Sequence, residues 1–81
     1  MTQDAILAQL NGIFREVLDD DSVTLATVTT AEDVEGWDSL NNIQIILAIE
    51  RHFKVRFKLG AIRDWANVGD MCAAIEALSR G

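Results

Sequence analysis

Few side chains in this sequence are suited to chemistry, and most of those stand alone. Ser39 directly follows Asp38 inside the run Glu35-Gly36-Trp37-Asp38-Ser39-Leu40. The apolar spacing downstream puts this pair at the amino end of a helix, where the Ser39 hydroxyl is expected to be exposed. A phosphodiester formed on that oxygen would lie beside unpaired backbone N–H groups and the positive end of the helix dipole. Asp38 is suited to capping the helix, or to standing as a carboxylate near the hydroxyl that orients a metal ion held by a modifying enzyme. Asp-Ser at a helix start is also what capping alone selects.

The remaining candidates read as structural. His52 is the single histidine and Cys72 the single cysteine, so neither has a partner of its own kind for a metal site or a disulfide. His52 reads as a surface residue at a helix end rather than a general base. Cys72 reads as a small buried apolar side chain. Trp37 and Trp65 read as packing residues that anchor loop to bundle. No carboxylate pair, metal cluster or glycine-rich phosphate loop stands out, and so no enzyme activity is expected.

The elements that must position Ser39 follow from apolar periodicity. Ile6, Leu7, Leu10, Ile13, Phe14, Val17 and Leu18 recur at helical spacing, with Thr2 as N-cap, Asp4 in the first turn and the acids from Asp19 to Asp21 at the stop. The next twenty or so residues show no sustained period, a long connection for so short a chain. Val23, Leu25 and Val28 are expected to tuck under it as a lid, and Gly36 to supply a flexible or positive-φ position. Asp38 or Ser39 then caps a second helix running to about Phe53. Leu40, Ile43, Ile46, Leu47 and Glu50 share one face, and Ile45, Ile49 and Phe53 broaden it. Apolar residues cover more than half its circumference, which predicts the centre of the core.

Beyond it, Val55, Phe57 and Leu59 alternate with polar residues and read as an extended connector plugging the core. A helical turn around Ala61 to Trp65 follows. Asn67 caps a last helix with Val68, Met71, Cys72, Ile75 and Leu78 in one stripe, ending at Gly81. The sum is an all-α fold: a small bundle of three main helices plus one short helix.

Length and charge bound the function. Eighty-one residues suffice for one domain, residues 1–81, with roughly 60 % of the unfolded surface removable on folding. Apolar runs such as Ile45 to Ile49 fall short of the roughly 20 residues a bilayer-spanning helix needs. MTQDAILAQL lacks the basic flank of a secretory signal, so a cytoplasmic chain without a membrane span is expected. Net charge is −6, unevenly spread: residues 1–50 hold ten acids against Arg15 alone, and residues 51–81 hold six bases against three acids. The acidic half would repel nucleic acid and attract partners that present Arg and Lys.

The run Gly36-Trp37-Asp38-Ser39-Leu40, continued through Ile43, Ile45, Ile46, Leu47, Ile49, Glu50 and Phe53, resembles the attachment region of acyl carrier proteins and related carrier domains. In that family an Asp-Ser-Leu triplet opens the second helix, and the serine is esterified by phosphopantetheine. The resemblance extends over nearly the whole chain, including Val68-Gly69-Asp70-Met71 and Ile75-Glu76-Ala77-Leu78. It implies that Ser39 carries phosphopantetheine, that Asp38 is the acid beside it, and that Leu40 is contacted by the transferase that installs the arm. The implied protein is a monomeric, non-enzymatic carrier of acyl thioesters in lipid or secondary-metabolite biosynthesis. Its implied partners are a phosphopantetheinyl transferase and acyl-loading and acyl-transferring enzymes with basic patches.

Trp37 ahead of the Asp-Ser pair also appears in aminoacyl and D-alanyl carriers. An aminoacyl, peptidyl or D-alanyl carrier is therefore the alternative within the class, and an unmodified helical interaction module the alternative outside it. Family members serving fatty-acid synthesis usually carry several acids along the second helix, where this chain has Asn41, Asn42 and Gln44. Lys54, Arg56, Lys58 and Arg63 are basic where acids are common. A specialised carrier with dedicated partners is expected, its acidic loop supplying much of the attraction. The cluster from Arg51 to Arg63 reads as a solvated face, with contact to an acidic partner as its functional alternative.

Overall fold

The structure is a computed structural model, described here over residues 2–79. It contains helices α1 (Gln3–Leu18), α2 (Ser39–Phe53), α3 (Leu59–Asp64) and α4 (Val68–Ser79), with a 3-10 turn at Ala31–Asp33 and no strand among the described residues. The fold is all-α, as expected. The expected end at Gly81 lies outside the described residues.

Helix α1 begins where Thr2 Oγ1 accepts the Ala5 N–H at 3.2 Å. It ends at Asp19, whose φ of 52° is left-handed, with the Asp20 N–H returning to the Arg15 carbonyl at 3.0 Å. Ile6, Leu10, Ile13 and Phe14 line its buried face. That face packs on both α2 and α4, so α1 is the shared wall of the core. From α4 the core receives Val68, Met71, Cys72 and Ile75. Leu78, expected to extend that stripe, is exposed in the final turn.

The long connection between α1 and α2 is packed and bonded along its length. Val23, Leu25 and Val34 are buried beneath it. Arg15 Nε donates to the Val23 carbonyl at 2.7 Å, and Asn11 Oδ1 accepts the Leu25 N–H at 2.6 Å. Its middle caps α4: the Val68 and Gly69 N–H groups donate to the carbonyls of Thr29 and Thr27, each at 2.8 Å. Val28 does not tuck under the loop as expected but is 76 % exposed. The backbone here turns to present the two flanking carbonyls to α4, which leaves the side chain between them pointing outward.

Helix α2 corrects a second expectation. Its buried residues are Ile45 and Ile49, with Ala48 and Phe53 packed beside them. Leu40, Ile43 and Leu47, expected at the centre of the core, are 70 %, 57 % and 49 % exposed. Apolar residues cover so much of this helix that periodicity could not choose the arc that faces inward. Contact with α1 chooses it. After Phe53 the chain turns through Lys54, and Val55 and Phe57 are half-buried as expected, Phe57 packing edge-on to Trp65 with centroids 4.9 Å apart. Leu59 is 66 % exposed instead of plugging the core. The two-residue alternation stops at Lys58, the N-cap of α3, and Leu59 already obeys helical geometry.

Candidate functional site

Asp38, not Ser39, caps α2. Asp38 Oδ1 accepts the Asn41 N–H at 2.9 Å, and its carbonyl accepts the Asn42 N–H at 2.8 Å. Ser39 is thus the first helical residue, its side chain exposed and without a hydrogen bond to any described residue. The first N–H groups of a helix have no intrahelical acceptor. At the head of α4 those donors are taken, by Thr29, Thr27 and Asn67. At the head of α2 the Asp38 cap takes two and leaves the Ser39 and Leu40 N–H groups open, at the positive end of the helix dipole. The Ser39 oxygen is reachable, and an anion esterified to it would meet open donors.

The loop before Ser39 is latched to the first turn of α2. Gly36 takes φ 88°, a conformation that suits glycine, and its carbonyl accepts from Asn41 Nδ2 at 2.7 Å. Trp37 Nε1 donates to Asn42 Oδ1 at 2.8 Å, while the indole stands edge-on to Phe14 with centroids 4.8 Å apart. Trp37 thus ties the loop to the bundle as expected. The sequence reading missed Asn41 and Asn42, treating them only as neutral replacements for acids. Two short amides in the first turn, just after a glycine and a tryptophan, are the signal that could have revealed the latch.

Beside Ser39 a cleft of about 350 Å³ separates the head of α2 from α3 and α4. Trp37, Ser39 and Asn42 form one wall, and Ile62, Trp65 and Met71 the other. Its size and mixed lining suit a slender chain with both polar and apolar atoms.

His52 lies elsewhere, at the far end of α2, exposed, with Nε2 2.6 Å from Gln9 Oε1. It bridges α2 to α1, and no group of acids, histidines and cysteines among the described residues could hold a metal ion. Cys72 is fully buried, and burial pushes its thiol above the ordinary value, which keeps it neutral and inert. Near the loop, the Ser22 hydroxyl and N–H hold the exposed Asp20 carboxyl below its ordinary value.

The sequence profile described as "Phosphopantetheine attachment site" matches residues 8–75. The chain belongs to this phosphopantetheine-attachment family. Its structure is also similar to the solution structure of a holo acyl carrier protein from Geobacter metallireducens, with TM-score 0.84 and 40 % identity, covering 89 % of this chain and 83 % of that one. Members of the phosphopantetheine-attachment family are carriers rather than enzymes, and the prosthetic group is covalently attached phosphopantetheine. The residues at the head of α2 fit such a group: an unencumbered hydroxyl, two open N–H donors and an adjoining cleft. Carriers of this kind meet the transferase that modifies them and the enzymes that handle their acyl groups. No helix among the described residues is long and apolar enough to cross a membrane.

Proposed function

We propose that Ser39 is the attachment residue, and that this single carrier domain holds acyl intermediates as thioesters in the cytoplasm, for enzymes of lipid or secondary-metabolite biosynthesis. The observation that carries the reading is the exposed, unbonded Ser39 hydroxyl at the first position of α2. When bound, phosphopantetheine supplies a terminal thiol on a long flexible tether, able to form a thioester.

The chain's own residues present and shelter. The open Ser39 and Leu40 N–H groups would hold a phosphodiester on the Ser39 oxygen and offset its charge. Asp38 holds the first turn in shape through Asn41, so its carboxylate acts on the backbone rather than on the reacting oxygen. The Trp37–Asn42 bond keeps the loop clear of the hydroxyl and fixes one wall of the cleft, where the tether has room to lie.

Partner recognition is supported by two surfaces beside Ser39. Glu32, Glu35 and Asp38 are exposed on the loop and favour partners with basic patches, the phosphopantetheinyl transferase among them. Leu40, Ile43 and Leu47 recur at three- and four-residue spacing as an exposed apolar stripe starting one residue after Ser39. A transient partner covers such a stripe as it reaches the serine.

Coexpression with a phosphopantetheinyl transferase, followed by intact-mass measurement, tests the assignment. The wild type should gain the mass of the prosthetic group and Ser39→Ala should not. A modified Ser39→Ala, or an unmodified wild type, defeats it.

A further inference from the structure

Residues 51–63 hold five cations, Arg51, Lys54, Arg56, Lys58 and Arg63, and no acid. All five are exposed, and none makes an ion pair or hydrogen bond through its side chain with a described residue. Of the two adjoining acids, Glu50 is occupied, its Oε2 accepting the Phe57 N–H at 2.9 Å, and Asp64, exposed beside Arg63, offsets one of the five charges and leaves the patch net positive. Helix dipoles account for Arg51 and Lys54, at the end of α2, and for Arg63 in the last turn of α3. They do not account for Arg56 and Lys58, in the connector. Lys54 moreover occupies a left-handed position, φ 57°, where glycine is the ordinary choice.

We propose that the surface of residues 51–63 is a second docking face, and that it takes an acidic protein surface. The fifteen-residue α2 separates Ser39 from Lys54 by about 22 Å, nearly three Debye lengths at physiological salt. The acids around Ser39 therefore neither cancel this patch nor compete for its partner. A bilayer is a poor occupant, because the face adds only Leu59 as a large exposed apolar group and α3 has six residues, too few for an interfacial helix. A second copy is poor as well, since each chain carries a net charge of −6. An enzyme presenting acids here and cations at Ser39 would meet both ends of the carrier at once and fix its orientation. Only the partner's being an enzyme rests on the carrier reading; the charge surface does not.

The test uses the full chain, labelled with ¹⁵N and loaded with phosphopantetheine, in NMR titrations that start at physiological ionic strength. The probes are a peptide of alternating Glu and Ala, vesicles of phosphatidylcholine and phosphatidylglycerol, and dilution of the chain alone. The peptide should shift the amides of Arg51 to Arg63, and added salt should reverse the shifts. Lys54→Gly with Lys58→Gln should weaken peptide binding about tenfold. Glycine keeps the left-handed turn, so the variant retains the fold, and its unchanged loading at Ser39 confirms this. Absence of peptide shifts, equal affinity in the variant, a response to vesicles in place of the peptide, or shifts on dilution alone would each overturn the proposal. Failure of the wild type to load would defeat the carrier reading and leave the peptide result standing.

Discussion

At the head of α2 two adjacent residues divide the work. The Asp38 carboxylate is spent on the Asn41 N–H, whereas the Ser39 side chain bonds nothing in the fold. Their substitutions should therefore separate. Asp38→Ala is expected to lower stability by about 1 kcal/mol through loss of the cap. Ser39→Ala should leave stability within about 0.5 kcal/mol while abolishing phosphopantetheine loading. Urea denaturation of both variants beside intact-mass analysis checks the pair. A Ser39→Ala as unstable as Asp38→Ala would mean that the serine, too, is needed for the helix start.

Between elements, the decisive contact is the loop's hold on α4. The Gly69 N–H meets the Thr27 carbonyl, and a Cβ added at Gly69 would lie 2.9 Å from that oxygen and 3.2 Å from Asn67 Oδ1. Alanine in a helix ordinarily gains roughly 0.5–1 kcal/mol over glycine. At Gly69 the clash is with backbone and outweighs that gain, so Gly69→Ala should destabilise by about 1–3 kcal/mol. Gly12 of α1 has nothing within 4 Å of its added Cβ, so Gly12→Ala should stabilise. Thermal melts of the two variants in opposite directions are the expected outcome.

Over the whole molecule charge is arranged as two poles, acids in the loop before Ser39 and cations at the opposite end of α2. The acidic pole raises the encounter rate with a basic partner, an effect that salt screens. Loading at Ser39 should accordingly lose kcat/KM as salt rises. Glu32→Gln with Glu35→Gln should start several-fold lower and depend less steeply on salt. A salt-independent kcat/KM in the wild type would remove the acidic loop from recognition. Asp38 is kept intact in this comparison because it also caps the helix.

Local pattern alone determined the helices and the place of Ser39 at a helix start. Apolar spacing marked α1 and α4, Thr2 and Asn67 announced their caps, and the run from Gly36 to Leu40 placed Ser39 at a helix start. These features depend on residues within a turn or two of one another, and short-range geometry is written directly in spacing. Tertiary structure alone decided which arc of α2 faces inward, because Leu40, Ile43 and Leu47 are as apolar as Ile45 and Ile49. It also decided that the long loop caps α4 through Thr27 and Thr29, and that Val28 and Leu59 face outward. Hydrophobicity says that a side chain gains by burial. It does not say whether another element has reached that side of the chain to bury it.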